Sequence, residues 1–404
     1  MKEFGGSWMN RQRYLSSRVM IFFIAFMNMF IPLSTDLYLP ALPEMGTYFS
    51  ASQALVSLTL TAFFFLFAVS MVFFGPISDK YGRKPVLVAG AAIYTAASMA
   101  CALAPNIYAL LLGRVLQAIG AGAIITVSTS LIKDCFRGTV MTKILAITQA
   151  LSVIAPMVAP LIGGFLLTFT SWRGSFFLLT ALGGVNLALA LLLTETLLPA
   201  HRYQGKVLSS LSLLLAVGRQ KQFMMLLVMF SLFSAPYMAY ISLSSFVYIE
   251  MFSLSAQEYS YYFAVNSAAA IAGPFLYLRL SQRLSKQSLV RLCFFVGALS
   301  SSLVLLAGHG GPLLFLLSFL PFTAISAVSR PFSMNWLLAE TKEHVGTASS
   351  MINFVQTLFG SLGMMAGTLP WSDFLDGLGI IILSSIGMSV LLWQWVQKLH
   401  ERMG

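Results

Sequence analysis

A single acid, Asp36, lies well inside a long apolar run, and a cation, Arg114, lies at a matching depth in another. An ionised side chain in hydrocarbon is costly, so such a residue is read first as functional and in need of a partner. Asp36 stands seven residues before Pro43, which closes its run, about 10 Å below the outer end at 1.5 Å per residue. Arg114 stands seven residues after Ile107, which opens its own run. A carboxylate changes its hold on a proton when burial or the distance to a cation changes. Asp36 and Arg114 are therefore the expected proton-coupling pair, with a static ion pair between helices as the competing reading. Arg330, also within an apolar run, has no assigned role beyond facing a cavity or snorkelling to the surface.

A second constellation is the loop Gly75-Pro76-Ile77-Ser78-Asp79-Lys80-Tyr81-Gly82-Arg83-Lys84-Pro85. Gly75 would remove a side chain where two helices approach, and Gly82 would permit a tight reversal. A lone Asp79 at a membrane edge wants a cation or a helix N-terminus. A plain basic turn accounts for Lys80, Arg83 and Lys84, but not for the glycines or the acid.

The elements that must hold these groups follow from composition. Of 404 residues, 58% are hydrophobic and only 9% charged, against about 25% charged in a soluble domain. Twelve apolar runs are expected to cross a bilayer that needs about 20 residues each: 18–43, 53–76, 85–104, 107–132, 140–167, 174–194, 222–248, 257–280, 288–307, 311–338, 345–369 and 375–397. The first reads as an uncleaved helix, not a signal peptide. With the N-terminus in the cytoplasm, all of the 24 Lys and Arg except Arg114, Arg173 and Arg330 fall on cytoplasmic loops and tails. Both termini are thus expected inside. This bias explains the +11 net charge, and its dispersal over many loops argues against nucleic acid.

The polar stretch after span 6 divides the chain into six-span bundles at 1–194 and 222–404, joined by a cytoplasmic linker at 195–221. The loop between spans 8 and 9 echoes the one at 75–85: Ser281, Arg283 and Lys286 fall opposite Ser78, Lys80 and Arg83. Cys101, Cys135 and Cys293 lack metal-ligand spacing, and His201, His309, His344 and His400 sit in loops or tails. No metal, cofactor or catalytic constellation is expected, and the absence of a P-loop argues against ATP coupling.

The loop at 75–85 closely resembles the loop 2–3 signature of the major facilitator superfamily. Arg114-Val115-Leu116-Gln117-Ala118-Ile119-Gly120 resembles its R-x-x-Q-x-x-G motif. Ala155-Pro156-Met157-Val158-Ala159-Pro160-Leu161-Ile162-Gly163-Gly164 resembles the antiporter motif of its drug:proton exporters. Proline and glycine at these intervals bend a helix and let a neighbour pack closely. Ser34 to Pro43 is similar to the start of the Bcr/CflA group of drug-resistance transporters, and 244–250 and 330–347 fit that group loosely.

The resemblance implies an all-α major facilitator fold of two pseudo-symmetric six-helix bundles around a cavity. It also implies proton-driven export of small amphipathic drugs across a bacterial inner membrane, by a monomer in the lipid bilayer. A transporter of one specific metabolite is the alternative. It further implies a conformational cluster of Gly75, Asp79, Gly82, Arg83 and Asp134, with Asp79 also near the start of span 11 at His344–Gly346. Asn28 stands where some relatives carry a further acid, which bears on proton stoichiometry and on dicationic drugs. Candidate cavity residues are Asn28, Tyr38, Phe63, Gln117, Tyr237, Tyr240, Asn266, Asn353 and Gln356.

Overall fold

The computed structural model describes residues 12–205, 218–340 and 345–403. These residues are nearly all helical, and no strand occurs among them. In chain order the long helices are α1 (Ser17–Phe49), α2 (Gln53–Tyr81), α3 (Arg83–Ala102), α4 (Ile107–Cys135), α5 (Gly138–Leu166) and α6 (Arg173–Leu192). They continue as α7 (Lys221–Met251), α8 (Ala256–Ser281), α9 (Lys286–Ala307), α10 (Pro312–Glu340), α11 (Val345–Gly367) and α12 (Phe374–Met403). Eleven of the described segments are long and apolar enough to cross a membrane, and α11 adds a helix of 23 residues. In lipid every backbone polar group must be bonded internally, which a helix achieves by itself. The chain is a multi-pass membrane protein.

Polar residues set the helix starts. The Ser16 hydroxyl accepts from the Val19 amide at 3.4 Å to open α1, and Asn106 Oδ1 accepts from the Ala109 amide at 2.9 Å to open α4. Ser255 and Glu258 form a reciprocal capping box at the start of α8. Two helices are interrupted. The first ordered stretch of α1 ends at Asn28, a second runs Phe30–Asp36, and a 3₁₀ turn at Leu39–Ala41 precedes Leu42–Phe49. α7 breaks after Ser231 and ends in a π-helical turn, Phe246–Met251. Such irregular turns inside helices recur at functional sites.

The chain divides into two compact units, Met1–Leu39 with Leu66–Leu211, and Pro40–Phe65 with Ser212–Gly404. In the first, α3 and α4 approach so closely that a Cβ at Gly120 would lie 2.6 Å from the Gly90 carbonyl oxygen and the Tyr94 amide nitrogen. In the second, an aromatic core joins Phe230, Phe332, Trp336 and Trp393, with edge contacts of 5.2–6.0 Å between Phe230 and both Phe332 and Trp336. In the same unit, Gln53 of α2 donates to the Glu250 carboxylate in the π-turn of α7.

Candidate functional site

The loop between α2 and α3 is built around Arg83, a buried first residue of its helix. Its Nη1 donates to Asp79 Oδ1 at 2.5 Å and to the Ser78 hydroxyl at 2.7 Å, and its Nε to Asp134 Oδ2 at 3.0 Å. One guanidinium thus ties the ends of α2 and α4 to the start of α3, through the planar fork that distinguishes arginine from lysine. Gly82 takes φ +106°, a conformation that side chains rarely adopt, and a Cβ there would strike the Glu195 carboxylate. The reversal expected at Gly82 is present. Gly75 differs from expectation: a Cβ would sit 3.9 Å from Thr126 Cγ2, an ordinary contact, so close helix approach does not require glycine there.

Glu195, at the head of the linker expected from the sequence, caps this loop. Its Oε1 accepts from the Arg83 amide at 2.9 Å and its Oε2 from the Lys84 amide at 3.1 Å. An acid is thereby placed on the first amides of α3, where the helix presents partial positive charge. Thr196 Oγ1 donates to Asp134 Oδ2 at 3.2 Å, and the Tyr203 amide to the Asp79 carbonyl at 2.9 Å. The start of the stretch 195–221 therefore packs on the cluster; 206–217 lie outside the described residues. The only available signal was a lone acid directly after an apolar run. The expected approach of Asp79 to His344–Gly346 falls on residues whose side chains lie outside the described set.

Deeper in the first unit, Arg114 and Gln117 of α4 are fully buried. Arg114 Nη1 donates to the Ser34 carbonyl at 2.9 Å and to Gln117 Oε1, and its guanidinium lies 4.7 Å from the Tyr38 ring centre. Gln117 Nε2 donates to the Ser98 hydroxyl at 2.7 Å, and the Ser34 hydroxyl meets the Tyr94 hydroxyl at 2.6 Å. A buried polar network thus joins α1, α3 and α4. Tyr94 and Ser98 carried no sequence signal.

Asp36 is buried, and its Oδ1 accepts from the Thr35 hydroxyl at 2.9 Å. Among the described residues no ion pair joins it to Arg114, contrary to the pairing expected from depth. The reason is azimuth. Ser34 and Tyr38, four residues apart, share the face that meets Arg114, whereas Asp36 lies about 200° round the helix from Ser34 at 3.6 residues per turn. Matching depth along two helices does not make two side chains face each other.

The motif in α5 lies against this stretch of α1. A Cβ at Gly163 would collide with the Leu37 carbonyl oxygen, directly after Asp36. Gly164 is buried beside it, and Pro156 and Pro160 lie within the helix. The Leu37 carbonyl also accepts from the Ser175 hydroxyl of α6 at 3.4 Å. The acid is thus held where three helices converge.

Several expected cavity residues are spent on packing. Asn28 Nδ2 donates to the Ser128 hydroxyl of α4 at 2.8 Å. The Thr323 hydroxyl of α10 donates to Asn266 Oδ1 at 2.7 Å, and Gln356 Nε2 donates to the Ser333 hydroxyl at 3.0 Å. Tyr240 is buried with its ring 4.2 Å from that of Phe319. Tyr38, Phe63 and Gln117 are equally buried. Apart from the half-buried Asn28, these side chains present no open surface here. Tyr237 and Asn353 remain half-buried. At the far end of the second unit, His309 Nε2 lies 3.3 Å from Asp373 and 3.8 Å from Asp376, a group of ligand atoms within 4.8 Å of one another. Asp373 Oδ1 is already engaged there, accepting from the Leu375 amide at 2.7 Å.

Spanning helices with buried charges inside and an ion-paired loop at one end are suited to moving solutes across a membrane, and the relatives of this chain are transporters, not enzymes. The family model described as Major Facilitator Superfamily matches residues 20–364, and the chain belongs to that superfamily. It is 30% identical over 337 residues to YdgK of Bacillus subtilis, an uncharacterized transporter of the superfamily, covering 82% of this chain and 84% of YdgK. It is 24% identical to a bicyclomycin resistance protein homolog of Haemophilus influenzae, over 88% of this chain and 89% of that one. It is 26% identical to the multidrug resistance protein MdtL of Citrobacter koseri, over 92% and 95%. Among solved structures, the nucleoside transporter NupG aligns with a TM-score of 0.73 at 15% identity, over 94% of this chain and 99% of NupG. A D-xylose–proton symporter aligns at 0.71 and 13%, over 91% and 96%. At these identities the structures speak for the fold alone.

Proposed function

We propose that this transporter exports small amphipathic drugs across a bacterial inner membrane in exchange for protons, by alternating access. Both termini lie in the cytoplasm, and the bundles 1–194 and 222–404 are the two halves that rock. Asp36 is the proton site. The observation that carries the reading is the seat of Asp36: a buried acid on α1, with the antiporter-type motif of α5 packed on the adjoining Leu37 carbonyl. Relatives named for multidrug and bicyclomycin resistance support the substrate class.

Arg114 acts on Asp36 through the backbone. By holding the Ser34 carbonyl and stacking on Tyr38, it fixes the turn that carries the acid. Loading or release of the proton then accompanies movement of that turn against α5. Arg83, Asp79 and Asp134 lock the cytoplasmic ends of α2, α3 and α4 as one body during the cycle.

The test is drug uptake by everted membrane vesicles driven by an acid interior. Asp36→Asn is expected to abolish uptake while leaving the protein in the membrane. Full proton-driven uptake by this variant would sink the mechanism.

A further inference from the structure

Arg330 of α10 is exposed, although it lies ten residues before Glu340 at the end of a 29-residue helix. That places its Cα about 15 Å before the inner end of the helix at 1.5 Å per residue. The direction of its exposure can be read from the helix itself. Leu313, Leu314 and Leu317 are exposed and mark the outer, lipid-directed face. Thr323, Ser326, Arg330 and Ser333 follow a spacing of three, four and three residues, which draws one stripe on the opposite face.

Every other member of that stripe is bonded. Thr323 donates to Asn266 of α8 at 2.7 Å, Ser326 to the Phe233 carbonyl of α7 at 3.3 Å, and Ser333 accepts from Gln356 of α11 at 3.0 Å. Among the described residues the Arg330 guanidinium has neither ion pair nor hydrogen bond; the Ser333 hydroxyl reaches only its carbonyl, at 2.9 Å. The neighbouring titratable group is the half-buried Tyr237 of α7. A permanent cation with five donors is therefore held open on an inward polar stripe. A charge within a membrane span is costly and calls for a compensating partner.

We propose that Arg330 is a substrate-binding residue that receives a carboxylate, so that this transporter accepts small organic acids and zwitterions as well as neutral amphiphiles. The guanidinium fork matches a carboxylate in two parallel hydrogen bonds, and Tyr237 offers a ring beside it for the apolar body of the ligand. This rests on the transport reading above and adds the charge class of its cargo.

Naphthalene-2-carboxylate and its uncharged amide, added to the purified protein in lipid nanodiscs, separate charge recognition from apolar binding. Wild type is expected to bind the acid at least about tenfold more tightly than the amide, the scale of a hydrogen bond to a charged group. Arg330→Gln should erase this preference without weakening the amide, and Arg330→Lys should retain part of it. Equal affinity for acid and amide in wild type, including no binding of either, would overturn the proposal. So would a preference that survives Arg330→Gln. Should Arg330→Gln fail to fold, undiminished preference in Arg330→Lys would count against it. Export is scored separately with an uncharged drug. If wild type fails to export it yet prefers the acid, the export reading falls and this one stands.

Discussion

The Arg83 guanidinium makes three hydrogen bonds with two nitrogens, and the two acids it serves lie on different helices. A lysine has a single ammonium that cannot hold Asp79 and Asp134 in the same fork geometry. Arg83→Lys is therefore expected to cut transport by about tenfold or more, since one charge-assisted hydrogen bond is worth about 1.5–3 kcal/mol, with membrane levels retained. Initial transport rate normalised to immunoblot signal checks this. Glu195 acts on the same loop by holding the Arg83 and Lys84 amides. Its removal in Glu195→Ala should cost about 1–2 kcal/mol, as for loss of a helix cap, read as a lowered midpoint of thermal unfolding in detergent. The members Asp79, Arg83 and Asp134 were legible because acid and base stand in a loop of recognisable spacing. Glu195 was not, since it reaches the loop across more than a hundred residues of chain, and no local pattern records such a contact.

At the scale of elements, twelve helices could be read from apolar runs because a bilayer fixes how long each must be. The breaks in α1 and α7 follow from Pro32 and Pro236, which supply no amide to the carbonyls of Asn28 and Leu232 four residues earlier. What sequence does not record is rotation, as Asp36 and Arg114 show. Depth along each helix follows from counting residues, but which faces meet depends on how α1, α4 and α5 are rotated. Gly163 shows how tight that packing is, because no side chain fits between α5 and the Leu37 carbonyl. Gly163→Ala must push α5 from α1 at about 1–3 kcal/mol, the usual cost of overpacking. Gly75→Ala meets only an ordinary contact with Thr126 and should be within about 0.5 kcal/mol of wild type. Thermal unfolding of the two variants side by side checks the contrast, and equal destabilisation would contradict the packing described.

For the whole molecule, the driving force constrains which substrates can leave. By sequence Asp36 is the one acid well inside a span, and Asn28 on the same helix is bonded to Ser128. In the proposed exchange this one carboxyl carries one proton per cycle. A proton gradient of one pH unit supplies about 1.4 kcal/mol, and a potential of 100 mV about 2.3 kcal/mol per net charge moved. Exchange of one proton for an uncharged drug moves one charge and draws on both. Exchange for a monocation moves none, so only the pH gradient helps. Exchange for a dication moves a positive charge outward against the potential, which outweighs the pH term at these values. In proteoliposomes with the two gradients set independently, collapsing the potential with valinomycin and potassium should slow export of an uncharged drug. Export of a monocation should stay unchanged, and removing the pH gradient with nigericin should stop it. Monocation export that rises with membrane potential would require a second proton, and with it a second acid that the spans do not contain.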